Sequence, residues 1–205
     1  PLKSKDERVL RPFSNPFNKE GGLILLSGNL GRGIVKVSSV AKDFQIIKAP
    51  AKVFYNQLEV TEAFKIGQLN QDCIVIVRGQ GPSANGMPEL HNLTPILSVL
   101  QDLGYRIALI TDGRMSGASG KVLSVVHVSP ESKNNSPISK VLDGDIIEIN
   151  TLKGTMNIKI SKRSFSKRSS NLKVNIVNEP NYGRQLFNSS RNNVSNAELG
   201  AISII

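Results

Sequence analysis

"CIVIVRGQGPSANGMPELHNLTPILSVLQDLGYRIALIT", residues 73–111, decides the fold. It opens on an apolar run without alternation, CIVIVR (73–78), the pattern of a strand buried on both faces. A glycine- and proline-rich loop follows, GQGPSANGMPE (79–89). LHNLTPILSVLQDLG (90–104) then reads as a helix at least from Pro95, with Gly104 as its stop. RIALIT (106–111) is a second buried strand. A strand, loop, helix and strand of this length make a parallel crossover. A second glycine-rich loop, TDGRMSGASGKV (111–122), leaves the second strand. The two loops are therefore expected to converge at the carboxyl ends of neighbouring parallel strands, where open α/β sheets place ligands.

Working outward, LSVVHV (123–128) is a further strand, and 143–160 reads as a hairpin around TLKGT. On the amino-terminal side, LILL (23–26) and IVKV (34–37) are short strands bounded by glycines. FQIIKA and AKVF continue the theme, with Pro50 expected as a break between them. VTEAFKIGQL (60–69) has helical spacing, with Thr61 as candidate N-cap. Residues 1–20 are a polar, proline-punctuated lead-in, 21–160 the folded domain, and 161–205 a basic, polar extension packing on it as surface helix and coil. The class is mixed α/β: many short strands in a mixed sheet or barrel, with helices packed outside.

The 205 residues suffice for one large domain, and 39% hydrophobic content supports a core. With no Trp and 5% aromatics, that core must be built from Ile, Leu and Val. Lysine and arginine number 26 against 16 acidic residues, a net charge of +10 that suits anionic partners without selecting one. The one cysteine, Cys73, allows no internal disulfide and no cysteine-built metal cluster; in CIVIV it reads as a small buried hydrophobe. No apolar stretch approaches the ~18 residues of a membrane span, and the N-terminus has no apolar signal region. The expectation is a soluble, cytoplasmic protein without membrane contact. A chain beginning at Pro1 rather than Met reads as a piece of a longer polypeptide.

Three glycine loops are testable against known chemistry. GNLGRG (28–33) and GQGPSANG (79–86) both miss the dinucleotide fingerprint, which needs glycine at its first, third and sixth positions. GRMSGASGKV (113–122) fails as a nucleotide phosphate loop: Met115 stands where the first glycine belongs, Val122 follows Lys121, and a strand follows instead of a helix. It also fails as a nucleophile elbow, since Met115 precedes Ser116 and Ala118 takes the second glycine position. His127, the nearby triad candidate, lies on an apolar strand and reads as a satisfied core histidine. What remains is a serine in a glycine loop with Arg114 and Lys121 nearby. Its amides could stabilise a ligand oxyanion or a serine alkoxide, or the loop could be a solvated turn without a role.

GNLGRG, VRGQGPSANGMPELHNLTP (77–95) and ALITDGRMSGASGKVLSVVHVSPE (108–131) together resemble the family of dihydroxy-acid and 6-phosphogluconate dehydratases. The resemblance is to the C-terminal domain, strongest over 21–150 and weaker at GRQLF (183–187) and AELGA (197–201). ANGMPELH and GRMSGASGK look like the 6-phosphogluconate branch. The resemblance implies a barrel-like β/β/α, swivelling-type domain. It also implies a hydro-lyase that eliminates water from a 2,3-dihydroxy acid, here 6-phosphogluconate of the Entner–Doudoroff pathway of gluconate metabolism. In the family an iron–sulfur cluster acts on the departing C3 hydroxyl, and magnesium holds the carboxylate end and acidifies C2. A base takes the C2 proton, and the enol becomes the 2-keto acid.

Carried over residue by residue, Ser116 takes the place of the base and Glu89 that of a magnesium ligand. Asp112, Gly113, Arg114, Gly117, Ser119 and Lys121, in the same loop, are expected to bind substrate. Arg114 and Lys121 suit a carboxylate or phosphate, and Glu89, a hard oxygen donor, suits magnesium. One departure matters. The family holds its cluster with cysteines of an N-terminal domain, and Cys73 matches none of them. The expectation is that this chain alone binds no cluster, is close to inactive, and forms one wall of a site completed by its own N-terminal domain, as a homodimer at full length.

Other readings are a dehydratase for another sugar acid, a phosphate-binding regulatory domain, and a nucleic-acid module motivated by SKRSFSKRSS (161–170). Phe165 is the single aromatic in that basic stretch, too few for base stacking, so no nucleic-acid partner is expected.

Overall fold

In a computed structural model, residues 3–17, 21–116, 120–133, 135–170 and 182–203 are described. The eight strands are β1 (Leu23–Gly28), β2 (Gly31–Lys36), β3 (Ile46–Phe54), β4 (Cys73–Val77), β5 (Ile107–Thr111), β6 (Leu123–Ser129), β7 (Ile146–Asn150) and β8 (Thr155–Ile158). They close into a barrel in the order β1-β2-β6-β5-β4-β3-β7-β8. β3, β4, β5 and β6 run parallel to one another, while β1–β2, β2–β6, β3–β7 and β7–β8 are antiparallel. The expected mixed α/β barrel is the observed architecture.

The unbroken apolar runs have a direct cause. On β4, Ile74 and Ile76 fill the barrel interior, while Cys73, Val75 and Val77 face the helices outside. On β5, Ala108 and Ile110 point in and Ile107 and Leu109 point out. A parallel strand with both faces covered has no polar face to alternate with. The covering helices are α1 (Gln57–Lys65) and α3 (Leu93–Asp102), which bury Val60, Ala63, Leu93, Leu97 and Leu100. Between β4 and α3, one short turn of helix, α2 (Pro82–Asn85), forms inside the expected loop. Gly104, at φ 98°, stops α3 as expected. The antiparallel strands have no such cover, so Leu23 and Leu25 on the outer face of β1 are exposed.

Two local expectations are corrected. Helix α1 begins before Thr61: Asn56 is its N-cap, with its side chain accepting the Glu59 N–H at 2.9 Å. Pro50 does not divide two strands. It lies inside β3, where the strand exchanges partners: 46–50 pair with β7, and 51–54 pair with β4. A residue without an N–H is tolerated at such a crossover.

Barrel closure is reinforced by the side chain of Asn29. β1 and β8 share a single register pair, Ser27 with Thr155. Asn29, in the β1–β2 turn, extends the seam: its amide donates to Ile158 O at 2.9 Å and its oxygen accepts Ile158 N–H at 2.8 Å. GNLGRG is thus a hairpin turn, with Asn29 clamping β8 and Leu30 buried in the core.

The C-terminal extension folds back on the barrel. It carries α4 (Lys162–Ser166), α5 (Tyr182–Leu186) and α6 (Asn188–Asn193). Within the basic stretch, Arg168 pairs with Asp145 (2.9 Å) and lies over the Phe165 ring, which holds its guanidinium against the domain. Arg32 of β2 pairs with Glu198 at 3.1 Å and ties down the last turn.

Candidate active site

β4 and β5 end side by side, with Val77 opposite Thr111, so the loops after them emerge together. Asp112 joins them. It is fully buried, and its carboxylate accepts the N–H groups of Gly79 (3.1 Å), Gln80 (2.9 Å) and Ser132 (2.7 Å). Burial pushes its carboxyl up to about 6, against these three donors and with the negative charge of Glu131 adding to the rise. Gly113 is buried beside it. A Cβ there would lie 2.7 Å from Gln80 Cβ, so the close approach of the two loops requires glycine.

The chain then alternates. Met115 is buried and accepts a hydrogen bond from Thr94 Oγ1 of α3 at 3.3 Å, which turns its neighbours Arg114 and Ser116 toward solvent. Glu89, at the end of the first loop, receives both. Its Oε1 accepts the Ser116 N–H at 2.7 Å, and its Oε2 accepts from Arg114 Nη1 at 3.2 Å. Arg114 Nε also donates to Met87 O at 2.8 Å. The Ser116 hydroxyl makes no hydrogen bond to any other described residue. The geometry is an outward-facing hydroxyl, a guanidinium and a carboxylate on a rigid double loop.

The expected site residues divide. Glu89, Arg114 and Ser116 come together. Asp112 and Gly113 lie beneath them, buried, as the base on which the loops rest. Gly117 and Ser119 lie outside the described residues. Lys121 does not join the group. β6 restarts with Leu123 opposite Ala108, so the loop has carried the chain back toward the amino ends of the strands. There Lys121 pairs with Asp102 at the last turn of α3.

His127 was expected to be a satisfied core residue and is not. It is half-buried, its backbone is at φ 56°, its N–H donates to Gly113 O at 2.9 Å, and its imidazole hydrogen-bonds to no described residue. Burial first and then the Arg114 charge lower its pKa, favouring the neutral ring. Its apolar neighbours in SVVHVS concealed this: β6 is irregular where it meets β2, between Arg32 and Ile34, and the irregularity re-aims the side chain.

Iron–sulfur chemistry does not fit the residues present. Cys73 is fully buried inside β4, its thiol pushed up to about 12 by burial, and it is the sole cysteine. Among the described residues no three His, Cys, Asp or Glu side chains converge into a metal site. Glu89 is one hard oxygen donor, with lone pairs beyond the two its neighbours use. No helix among the described residues is long and apolar enough to cross a membrane.

The structure is a closed mixed barrel that brings Glu89, Arg114 and Ser116 together in the loops after two neighbouring parallel strands. This chain belongs to the dihydroxy-acid/6-phosphogluconate dehydratase C-terminal family, whose pattern it matches over residues 8–201. It is similar to the phosphogluconate dehydratase of Pseudomonas aeruginosa, with 48% identity over 99% of this chain and 33% of that protein. The phosphogluconate dehydratases of Zymomonas mobilis (51% identity, 97% of this chain, 32% of that protein) and Escherichia coli K12 (46%, 98%, 34%) are similarly related. The chain spans about a third of the length of these relatives.

Proposed function

We propose that this chain is the C-terminal wall of the active site of a cytoplasmic hydro-lyase that converts 6-phospho-D-gluconate to 2-dehydro-3-deoxy-6-phosphogluconate and water. The observation that carries the reading is the Glu89–Ser116–Arg114 group at the ends of β4 and β5, in a chain whose relatives bear that activity in their names. Ser116 is the base. Its hydroxyl is oriented outward, its backbone N–H is fixed by Glu89, and it removes the proton from C2 of the substrate. The C3 hydroxyl leaves as water with a proton from solvent, and the resulting enol gains a proton at C3 as its C2 hydroxyl loses one, giving the 2-keto acid. A serine acts as a base only after its hydroxyl has given its proton to solvent, and the Arg114 guanidinium supplies positive charge that favours this alkoxide before it accepts the C2 proton.

Glu89 is in addition one oxygen ligand of a magnesium ion, the others coming from outside the described residues. A magnesium ion held there would supply Lewis-acid charge for the substrate carboxylate. The sole cysteine, Cys73, is buried in β4, so cysteine ligands of an iron–sulfur cluster would come from the part of the relatives' length that this chain does not span. The full-length protein works as a homodimer.

The test is an anaerobic assay of the full-length enzyme carrying this sequence, following keto-acid formation from 6-phosphogluconate and from gluconate. The expected result is turnover of the phosphorylated acid, with Ser116→Ala slower by ~10²–10⁴-fold at unchanged cluster content. Full activity in the variant removes Ser116 from the chemistry. Turnover of neither acid by a cluster-loaded enzyme moves the substrate to another sugar acid.

A further inference from the structure

A groove of about 530 Å³ lies between α2 and α6, where the C-terminal extension crosses the loop that carries Glu89. That volume is the size of a small-molecule site. Its polar lining is one-sided. Arg191 and Ser190 come from α6, Asn85 from the end of α2, and Ser203 is the last described residue. Among the described residues no carboxylate lines it. Arg191 is half-buried and makes no ion pair with any described residue; its one side-chain contact is a long hydrogen bond to Asn188 Oδ1 at 3.4 Å. Among the described residues Arg191 is the one charged side chain that lines the groove, and its guanidinium has no carboxylate partner there.

The groove is joined to the catalytic group by a short, fixed piece of backbone. Gly86 lines the groove, Met87 O accepts from Arg114, and Glu89 holds Ser116. Glu89 is three positions after Gly86, so their Cα atoms are at most about 11 Å apart. That is within the reach of an extended sugar acid bearing a terminal phosphate. α2 is anchored from beneath, with Glu131 accepting Ser83 N–H at 3.2 Å and Ala84 N–H at 3.0 Å, so this wall does not depend on ligand to form.

We propose that the α2–α6 groove is the phosphate-monoester subsite, with Arg191 as its cationic residue and Ser190 and Asn85 as neutral donors. The inference rests on the dehydratase reading above and deepens it: Glu89, Arg114 and Ser116 meet the acid end of the substrate, and Arg191 selects for the phosphorylated end. It also gives the C-terminal extension a task, because α6 has no other polar contact with the barrel loops among those described.

The experiment measures KM and kcat of the full-length enzyme for 6-phosphogluconate and gluconate, and competitive inhibition by inorganic phosphate. The variants are Arg191→Ala, Arg191→Lys and Ser190→Asp. Arg191→Ala is expected to raise KM for 6-phosphogluconate by ~10–100-fold, to weaken phosphate inhibition similarly, and to narrow the preference over gluconate by the same factor. Arg191→Lys recovers part of the loss, and Ser190→Asp repels phosphate and mimics Arg191→Ala. Wild-type KM and phosphate inhibition in both Arg191→Ala and Ser190→Asp overturn the inference while leaving the dehydratase reading standing. An equal loss on gluconate assigns Arg191 a structural role and also overturns it. A wild-type enzyme that turns over neither acid overturns both.

Discussion

Glu89 Oε1 accepts the backbone N–H of Ser116 at 2.7 Å, across two loops 27 positions apart in sequence. The contact fixes the serine through its main chain and leaves its hydroxyl for other work. The second carboxylate oxygen meets Arg114, so one side chain sets the positions of both its neighbours.

This arrangement separates the two basic residues of the loop. Arg114→Gln is expected to lower kcat/KM for the acid substrate by ~10-fold or more, as loss of a charge-assisted contact does. Lys121→Gln, at the far end of the barrel beside Asp102, is expected to leave kcat/KM within about twofold, since a half-exposed ion pair adds ~0–1 kcal/mol to stability and nothing to the site. Steady-state kinetics on both variants decides; equal losses would return Lys121 to the site.

Asp112 gives the fold a pH dependence with a definite sign. Its carboxyl titrates at about 6 when folded, against an ordinary 3.8. The folded state therefore binds the proton more tightly than the unfolded state. Stability from this group is greatest below pH ~4, falls as pH rises to about 6, and is flat above, for a total of about 3 kcal/mol. Urea unfolding of wild type and Asp112→Asn between pH 4 and 7 should give a difference that changes over this window. A constant difference would show that the Asp112 carboxyl titrates alike folded and unfolded.

Gly28 is expected to be the least replaceable glycine at the barrel seam. A Cβ there would stand 1.9 Å from Met156 O, a backbone atom of β8. Gly28→Ala must push β1 and β8 apart where Asn29 clamps them, at a cost of about 3 kcal/mol and roughly 10 °C in Tm. Calorimetry tests it, and an unchanged Tm would mean that the seam is not tight.

Cys73 should be inert in the native protein. A fully buried thiol held near pKa 12 offers no thiolate at pH 8. Labelling with a disulfide reagent is expected only at the rate of unfolding, and to go to completion in denaturant. Rapid native labelling would place β4 at the surface.

The sequence by itself determined the elements that depend on near neighbours. CIVIV and IALI are apolar at every position, because a parallel strand covered on both faces has to be, and the glycine-rich segments after them could only be loops. Arg114 and Ser116 were legible as polar residues of a glycine-rich loop after a buried strand, whereas Glu89 was legible only through the family resemblance. Family resemblance then supplied chemical roles that periodicity alone left open.

Only the tertiary structure decided what depends on distant partners. Pro50 sits inside a strand because β3 changes neighbours there. Asn29 is a clamp because β8 arrives 129 positions later. Asp112 is buried by three N–H groups from two other segments, and Lys121 is carried away by the register of β6. His127 is turned toward Arg114 by an irregularity in strand pairing, and Arg191 gains its place only when α6 folds over α2. Local sequence encodes dihedral preference and hydrophobic period; which polar group meets which is fixed by barrel closure, and closure is a property of the whole chain.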